Sequence, residues 1–108
     1  MYLDDIRDFA LSLKDAEECF PFGEETFVYK VNNKIFLLIG FDDNQMRLNV
    51  KCNPEEAIEL RERYAYIIPG YHMNKKHWNT ILIDNGADKK IVLDSIEKSY
   101  ELVKGRKK

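Results

Sequence analysis

Apolar residues at Leu3, Ile6, Phe9, Ala10 and Leu13 recur at the spacing of one helical face. Asp4, Asp5 and Asp8 fall in the early turns of that helix, where the macrodipole favours negative charge. Pro21 lies well past its end, in a stretch from Cys19 to Glu25 that reads as an irregular link. The period then changes to two. Thr26 to Val31 is rich in β-branched and aromatic residues, with Phe27, Tyr29 and Val31 on one face. Asn32-Asn33 makes a two-residue turn, since Asn tolerates the positive φ such a turn needs. Lys34 to Phe41 contains an unbroken apolar run, which predicts a central strand covered on both faces. Asp42-Asp43-Asn44 turns the chain again. Gln45 to Cys52 then alternates, with Met46, Leu48 and Val50 one way and Arg47, Asn49 and Lys51 the other.

Asn53 is a good N-cap, Pro54 suits the first helical position and Glu56 follows three residues after the cap, so a second helix starts here. Ala57, Ile58 and either Leu60 or Arg61 are expected on its buried side. Pro69-Gly70 interrupts the next stretch and leaves a short extended piece around Ile67 to His72. Trp78 to Asp84 is a further strand, bounded by Asn85-Gly86. Asp88 to Lys104 is the last helix, with Val92, Ile96, Ser99 or Tyr100, and Val103 along its apolar stripe. The order α-β-β-β-α-β-β-α predicts an α+β two-layer sandwich, helices packed on an antiparallel sheet, in a single domain over residues 1–108.

Composition changes this picture little. The 33% charged fraction is balanced, with 19 acids against 17 bases, which excludes a disordered chain and argues against coating nucleic acid by bulk positive charge. The balance is uneven along the chain: residues 1–25 hold 8 acids and 2 bases, and the remainder is mildly basic. A local basic surface therefore stays open. The longest apolar run, Ile35 to Ile39, is far short of a membrane span. The acidic N-terminus has neither the basic nor the apolar region of a signal peptide. Cys19 and Cys52 lack the spacing of a disulfide framework or a metal knuckle, so both are expected as reduced thiols in a cytoplasmic protein.

Much catalytic chemistry is missing. There is no glycine-rich nucleotide loop, no GxSxG elbow and no HExxH. His72 and His77 would need further converging ligands to hold zinc, and read more simply as histidines of a basic loop. The paired acids Asp4-Asp5, Glu17-Glu18, Glu24-Glu25, Asp42-Asp43 and Glu55-Glu56 read as solvated turns and helix starts. Cys52 follows Lys51 and precedes a helix start, a setting that can lower a thiol pKa, but no positioned base accompanies it. The unusual segment runs from Ile68 to Thr80 and combines Lys75, Lys76, His72, His77, Tyr71 and Trp78. Lysines suit phosphates, and aromatic faces suit bases. The competing reading makes Trp78 a core anchor, Pro69-Gly70 a turn and the lysines solubilising.

This segment, Tyr71 to Thr80, together with Phe20-Pro21-Phe22-Gly23, Lys34-Ile35-Phe36, Leu48 to Glu55 and Ser99 to Val103, resembles the MmcQ/YjbR family of small bacterial proteins. The resemblance covers almost the whole chain. It implies an α-β(3)-α-β(2)-α fold, CyaY-like or secretion-chaperone-like, and a DNA-binding role with hairpins in a double-wing arrangement. It brings no catalytic residue set.

The expectation is a non-enzymatic DNA-binding protein that needs no cofactor or metal. Lys75 and Lys76 would contact phosphates, His77, Tyr71 and Asn79 would add stacking or polar contacts, and Arg47 and Lys51 would extend the patch. Neutralising about four phosphates gives a log–log salt slope near −3.6. The rival expectation is a chaperone-like or interaction module that binds a protein partner or a second copy of itself through its sheet face. A small-ligand or enzyme site at the His72–His77 loop is the third.

Overall fold

The computed structural model describes residues 2–70, 73–84 and 86–105. Along the chain run α1 (Leu3–Ser12), β1 (Glu17–Cys19), β2 (Phe27–Val31), β3 (Lys34–Asp42), β4 (Gln45–Lys51), α2 (Pro54–Arg63), β5 (Ile67–Pro69), β6 (Trp78–Ile83) and α3 (Lys89–Lys104). The strands form one antiparallel sheet in the order β1-β2-β3-β4-β6-β5. The α+β sandwich is thus as the hydrophobic pattern predicts, apart from one extra strand.

Local chemistry sets most boundaries. Asn32 and Asn33 have φ of 51° and 68°, and Asp43 and Asn44 have 52° and 65°, so both hairpins close through left-handed residues that Asn and Asp tolerate. The Asn53 side chain accepts from the Glu55 N–H at 3.0 Å, with Pro54 opening α2. Asp88 accepts from Lys90 and Ile91 and caps α3, which therefore begins one residue later than the pattern suggests.

The core lies between the helices and one face of the sheet. Ile6 and Ala10 of α1, Ala57 of α2, and Val92, Ile96, Tyr100 and Val103 of α3 pack with Tyr29, Leu37, Ile39, Leu48, Val50 and Ile81. Burial of each such Ile, Leu or Val contributes about 1.5–3 kcal/mol. Ile58 departs from expectation: it is exposed, and the inner side of α2 falls to Ala57 with half-buried Leu60 and Arg61.

The apolar run in β3 has a cause that periodicity does not reveal. Tyr29 pairs with Leu37 but Lys30 pairs with Ile35, so Phe36 is bulged out of the β2–β3 ladder. Phe36 and Leu37 consequently both enter the core, while Leu38 turns to the outer face. The Phe36 carbonyl accepts from the buried Ser99 hydroxyl at 2.6 Å, and the Ser99 oxygen accepts from the Lys51 N–H at 2.8 Å. One hydroxyl of α3 therefore joins β3 to β4 just beyond their last pair, Leu37–Val50.

β1 has no strand signal in its own three residues, Glu17-Glu18-Cys19. Tertiary contacts make it. Glu18 receives both Nε and Nη2 of Arg7 from α1, at 2.9 and 3.0 Å, and the Tyr29 hydroxyl at 2.5 Å. The Arg7 guanidinium also lies 5.1 Å from the Phe27 ring centre. Arg7, with Tyr29, holds the Glu18 carboxyl below its ordinary range despite burial, and burial with the Glu18 charge keeps the Tyr29 phenol protonated. Both cysteines are free thiols; burial, reinforced by Glu56, pushes Cys52 up to about 11. Desolvation outweighs the nearby cations Arg61 and Lys98, so the position beside Lys51 and a helix start does not activate the thiol.

Ser99→Ala should destabilise the fold by about 2 kcal/mol, since it strands a buried N–H and a buried carbonyl, and should lower Tm by about 10 °C in a calorimetric scan. Glu18 adds stability above its unfolded value near 4.5, and that contribution disappears as pH falls through the lower folded value. Acid titration of Tm should therefore be flatter for Glu18→Gln than for the wild type. Cys52 has the opposite sign: the folded chain keeps its proton to about 11, so its stability declines as pH rises past 9.0. With a thiol reagent at neutral pH, Cys19 should be modified promptly and Cys52 only after addition of denaturant.

Candidate functional site

The segment that closes β5 onto β6 is built around Gly70. Its N–H donates to the Trp78 carbonyl at 2.9 Å, and a Cβ there would lie 2.9 Å from both the Cβ and the carbonyl oxygen of Trp78. Only glycine permits this approach. Beyond it, the Asn74 carbonyl accepts from the N–H groups of His77 and Trp78, and the Asn74 side chain accepts from the Lys76 N–H. These bonds coil residues 74–78 into a tight turn.

Arg61 of α2 straps the turn to the body. Its Nε donates to Asn79 Oδ1 at 2.6 Å, and its Nη2 donates to the carbonyls of Lys75 and Trp78. The planar fork of arginine makes such a multiple contact possible. Asn79 passes the link inward, donating to the Ala57 carbonyl at 3.3 Å and lying 3.7 Å from Cys52 Sγ. The Cys52 N–H donates to the His77 carbonyl at 2.7 Å.

These contacts redistribute the residues expected to form one patch. Asn79 is 1% exposed and is an internal strut, so it offers nothing to a ligand at the surface. Its amide is spent on the Arg61–Asn79–Ala57 chain. Lys51, half-buried at the end of β4, pairs with Trp78, and its N–H bonded to Ser99 brings it also to the cleft between α2 and α3. Lys75 is at the surface with its ammonium bonded to the Gly70 carbonyl at 3.0 Å. Lys76 is exposed and His77 half-buried. Tyr71 and His72 lie outside the described residues. Trp78 is half-buried, between the anchor and the surface residue that the sequence left open.

Arg47 stands on the outer face of the sheet, opposite the helices, with its Nη2 3.5 Å from the Asp42 carboxylate. There it borders a groove of about 430 Å³. Leu38, Gly40 and Asn49 of the two central strands line this groove, Phe22 and Thr26 approach from the β1–β2 link, and Phe41 and Asp42 stand at the end of β3. Met73 closes it from the basic turn. The loop and the outer strand face are therefore parts of one surface. The Asn49 side-chain oxygen accepts from the buried Thr80 hydroxyl at 2.6 Å, which fixes that amide. The tip of the β3–β4 hairpin, Asp42 to Asn44, is acidic, so a double-wing contact with phosphates finds no support at that tip.

Sequence reasoning had named neither Gly40 nor Phe41, Met73 or Arg61 as site residues. One signal was present: a glycine inside the apolar run of a central strand marks a place where something approaches the backbone closely. Arg61 carried no signal beyond its position on α2. Among the described residues, no three His, Cys, Asp or Glu side chains converge on a metal-sized site, and no helix is long and apolar enough to cross a membrane.

Comparison with known proteins agrees with this architecture. The YjbR family profile matches residues 11–102. The uncharacterized protein YbdF of Escherichia coli O157:H7 is 37% identical over 94 residues, covering 87% of this chain and 77% of YbdF. A crystal structure of a Deinococcus radiodurans protein with a DUF419 domain superposes with a TM-score of 0.86 at 36% identity, over 94% of this chain and 77% of that one. A Pseudomonas syringae protein gives 0.82 at 26% identity, over 95% and 99% of the two chains. A profile match over most of the chain, carried by the same fold in solved structures, places this protein in the YjbR family.

Proposed function

We propose that the protein is a non-enzymatic DNA-binding protein whose contact surface is the outer sheet face together with the basic turn. The observation that carries this reading is that Met73, two residues before Lys75-Lys76, lines the same groove as Arg47 and Asn49. Arg47 thus borders a groove that is also lined by the residue two positions before the paired lysines. The strapping by Arg61 supports it further, because a turn held by three side-chain bonds presents its lysines in a fixed place. Lys76, Lys75 and Arg47 serve phosphates, and His77 flanks them. The buried Asn79 has no part in the surface.

With about three phosphates neutralised in place of four, the log–log salt slope for duplex DNA should be near −2.7. The check is fluorescence anisotropy of a labelled random-sequence duplex across a salt series. Lys76→Glu should weaken binding and reduce the slope by about 0.9 or more while circular dichroism stays unchanged. Lys75 is a poorer choice, since its loss also removes the bond to Gly70. Association that ignores salt would favour the rival reading, a protein or second copy seated on the exposed rings of Phe22 and Phe41.

A further inference from the structure

Gly40 sits in the middle of the sheet, paired with Arg47, and a Cβ built on it meets nothing within 4 Å. The space above a central strand is therefore open at this one residue, next to buried Leu38. Phe22, 66% exposed, borders the opening with its ring largely uncovered. The Arg47 guanidinium and Asp42 carboxylate lie at the same groove, a donor group beside an acceptor group. The orientation of the Asn49 amide is fixed by Thr80. The cationic turn begins at its edge with Met73.

From this arrangement we infer that the groove over Gly40 receives an unstacked nucleobase, so that the nucleic acid recognised is single-stranded. The inference rests on the nucleic-acid reading above and specifies its ligand. A flat floor without a side chain and the exposed Phe22 ring at its border suit a planar, π-faced occupant. A base edge carries both donors and acceptors, and Arg47 with Asp42 offers the complement of both, so that with a single strand Arg47 serves the base and the phosphates fall to Lys75 and Lys76. The volume, about 430 Å³, is within the range of small-ligand sites. Lys75 and Lys76, exposed two and three residues beyond Met73 of the lining, supply cations for the backbone charge that accompanies a base. A duplex keeps its bases stacked and could not place one here without extruding it. The weakly basic surface is consistent with this, because stacking rather than bulk charge supplies much of single-strand affinity.

The test uses the full chain and a fluorescein-labelled oligothymidylate of about 15 nucleotides, compared with a duplex of the same length. The single strand should bind at least ten-fold more tightly. Gly40→Val fills the opening with a strand-favouring side chain in space that is empty, so the fold should be retained. It should weaken single-strand binding by about ten-fold or more. Phe22→Ala, on an exposed ring outside the core, should weaken it by about ten-fold through lost stacking. Duplex binding equal to or tighter than single-strand binding overturns the inference and leaves the DNA-binding reading standing. Single-strand preference untouched by Gly40→Val overturns the placement in the groove. Absence of binding to either probe at low salt overturns both.

Discussion

The Ser99 hydroxyl is the joint on which the two layers depend. It donates to Phe36 and accepts from Lys51, and both partners are backbone groups left over at the point where a bulge ends the β3–β4 pairing. A buried carbonyl and a buried N–H without partners would be unfavourable in this position. Because α3 supplies the missing partner, the helix cannot slide or rotate on the sheet without breaking both bonds. The same bulge sends Phe36 and Leu37 together into the core, where Phe36 meets Tyr29 and Tyr100 edge-on or tilted. Tyr100 in turn donates to the Lys14 carbonyl and anchors the end of α1.

With helices fixed on one face, the other face is left for function. It is not bare. The β1–β2 link and the basic turn each bring one large side chain, Phe22 and Met73, to the groove over the central strands. The two approaches differ in how firmly they are held. The turn is bonded by Arg61, by Asn74 and by the Lys75–Gly70 contact. Phe22 lies mostly in solvent, in a link whose Gly23 has φ of 112°. A rigid cationic side facing an accessible aromatic one is a reasonable design for a surface that must admit a flat or extended ligand.

The charged groups show why counting bases along the chain misjudges a surface. Lys51 and Arg47 are four residues apart on one strand, and alternation puts them on the same face. Arg47 borders the outer groove with Asp42, and Lys51, through its N–H bond to Ser99, also reaches a helical cleft lined by acids and bases alike. Asn79 looked like a polar contact within a rich loop sequence. It is instead buried, because Asn79 pairs with the core residue Val50 and so faces the helices. Arg61, read only as a candidate for the buried side of α2, is the residue that holds the turn in shape.

What the sequence determined alone was everything encoded within a few residues. Helical spacing in α1 and α3, the Asn and Asp turns, the Asn53-Pro54 start of α2 and the alternation of β4 each depend on neighbours in the chain, so they were legible. Family membership was legible too, in motifs spread from Phe20 to Val103. The tertiary structure decided what depends on partners far apart in the chain. β1 exists because Arg7 and Tyr29 converge on Glu18, from positions 11 residues to either side. The bulge at Phe36 is completed by a serine 63 residues later. The groove joins Phe22, Gly40, Arg47 and Met73, four residues that only strand pairing and loop closure bring together. Local propensity acts through the backbone of adjacent residues, whereas a site is a matter of which surfaces remain after the core has closed, and no short stretch of sequence carries that information.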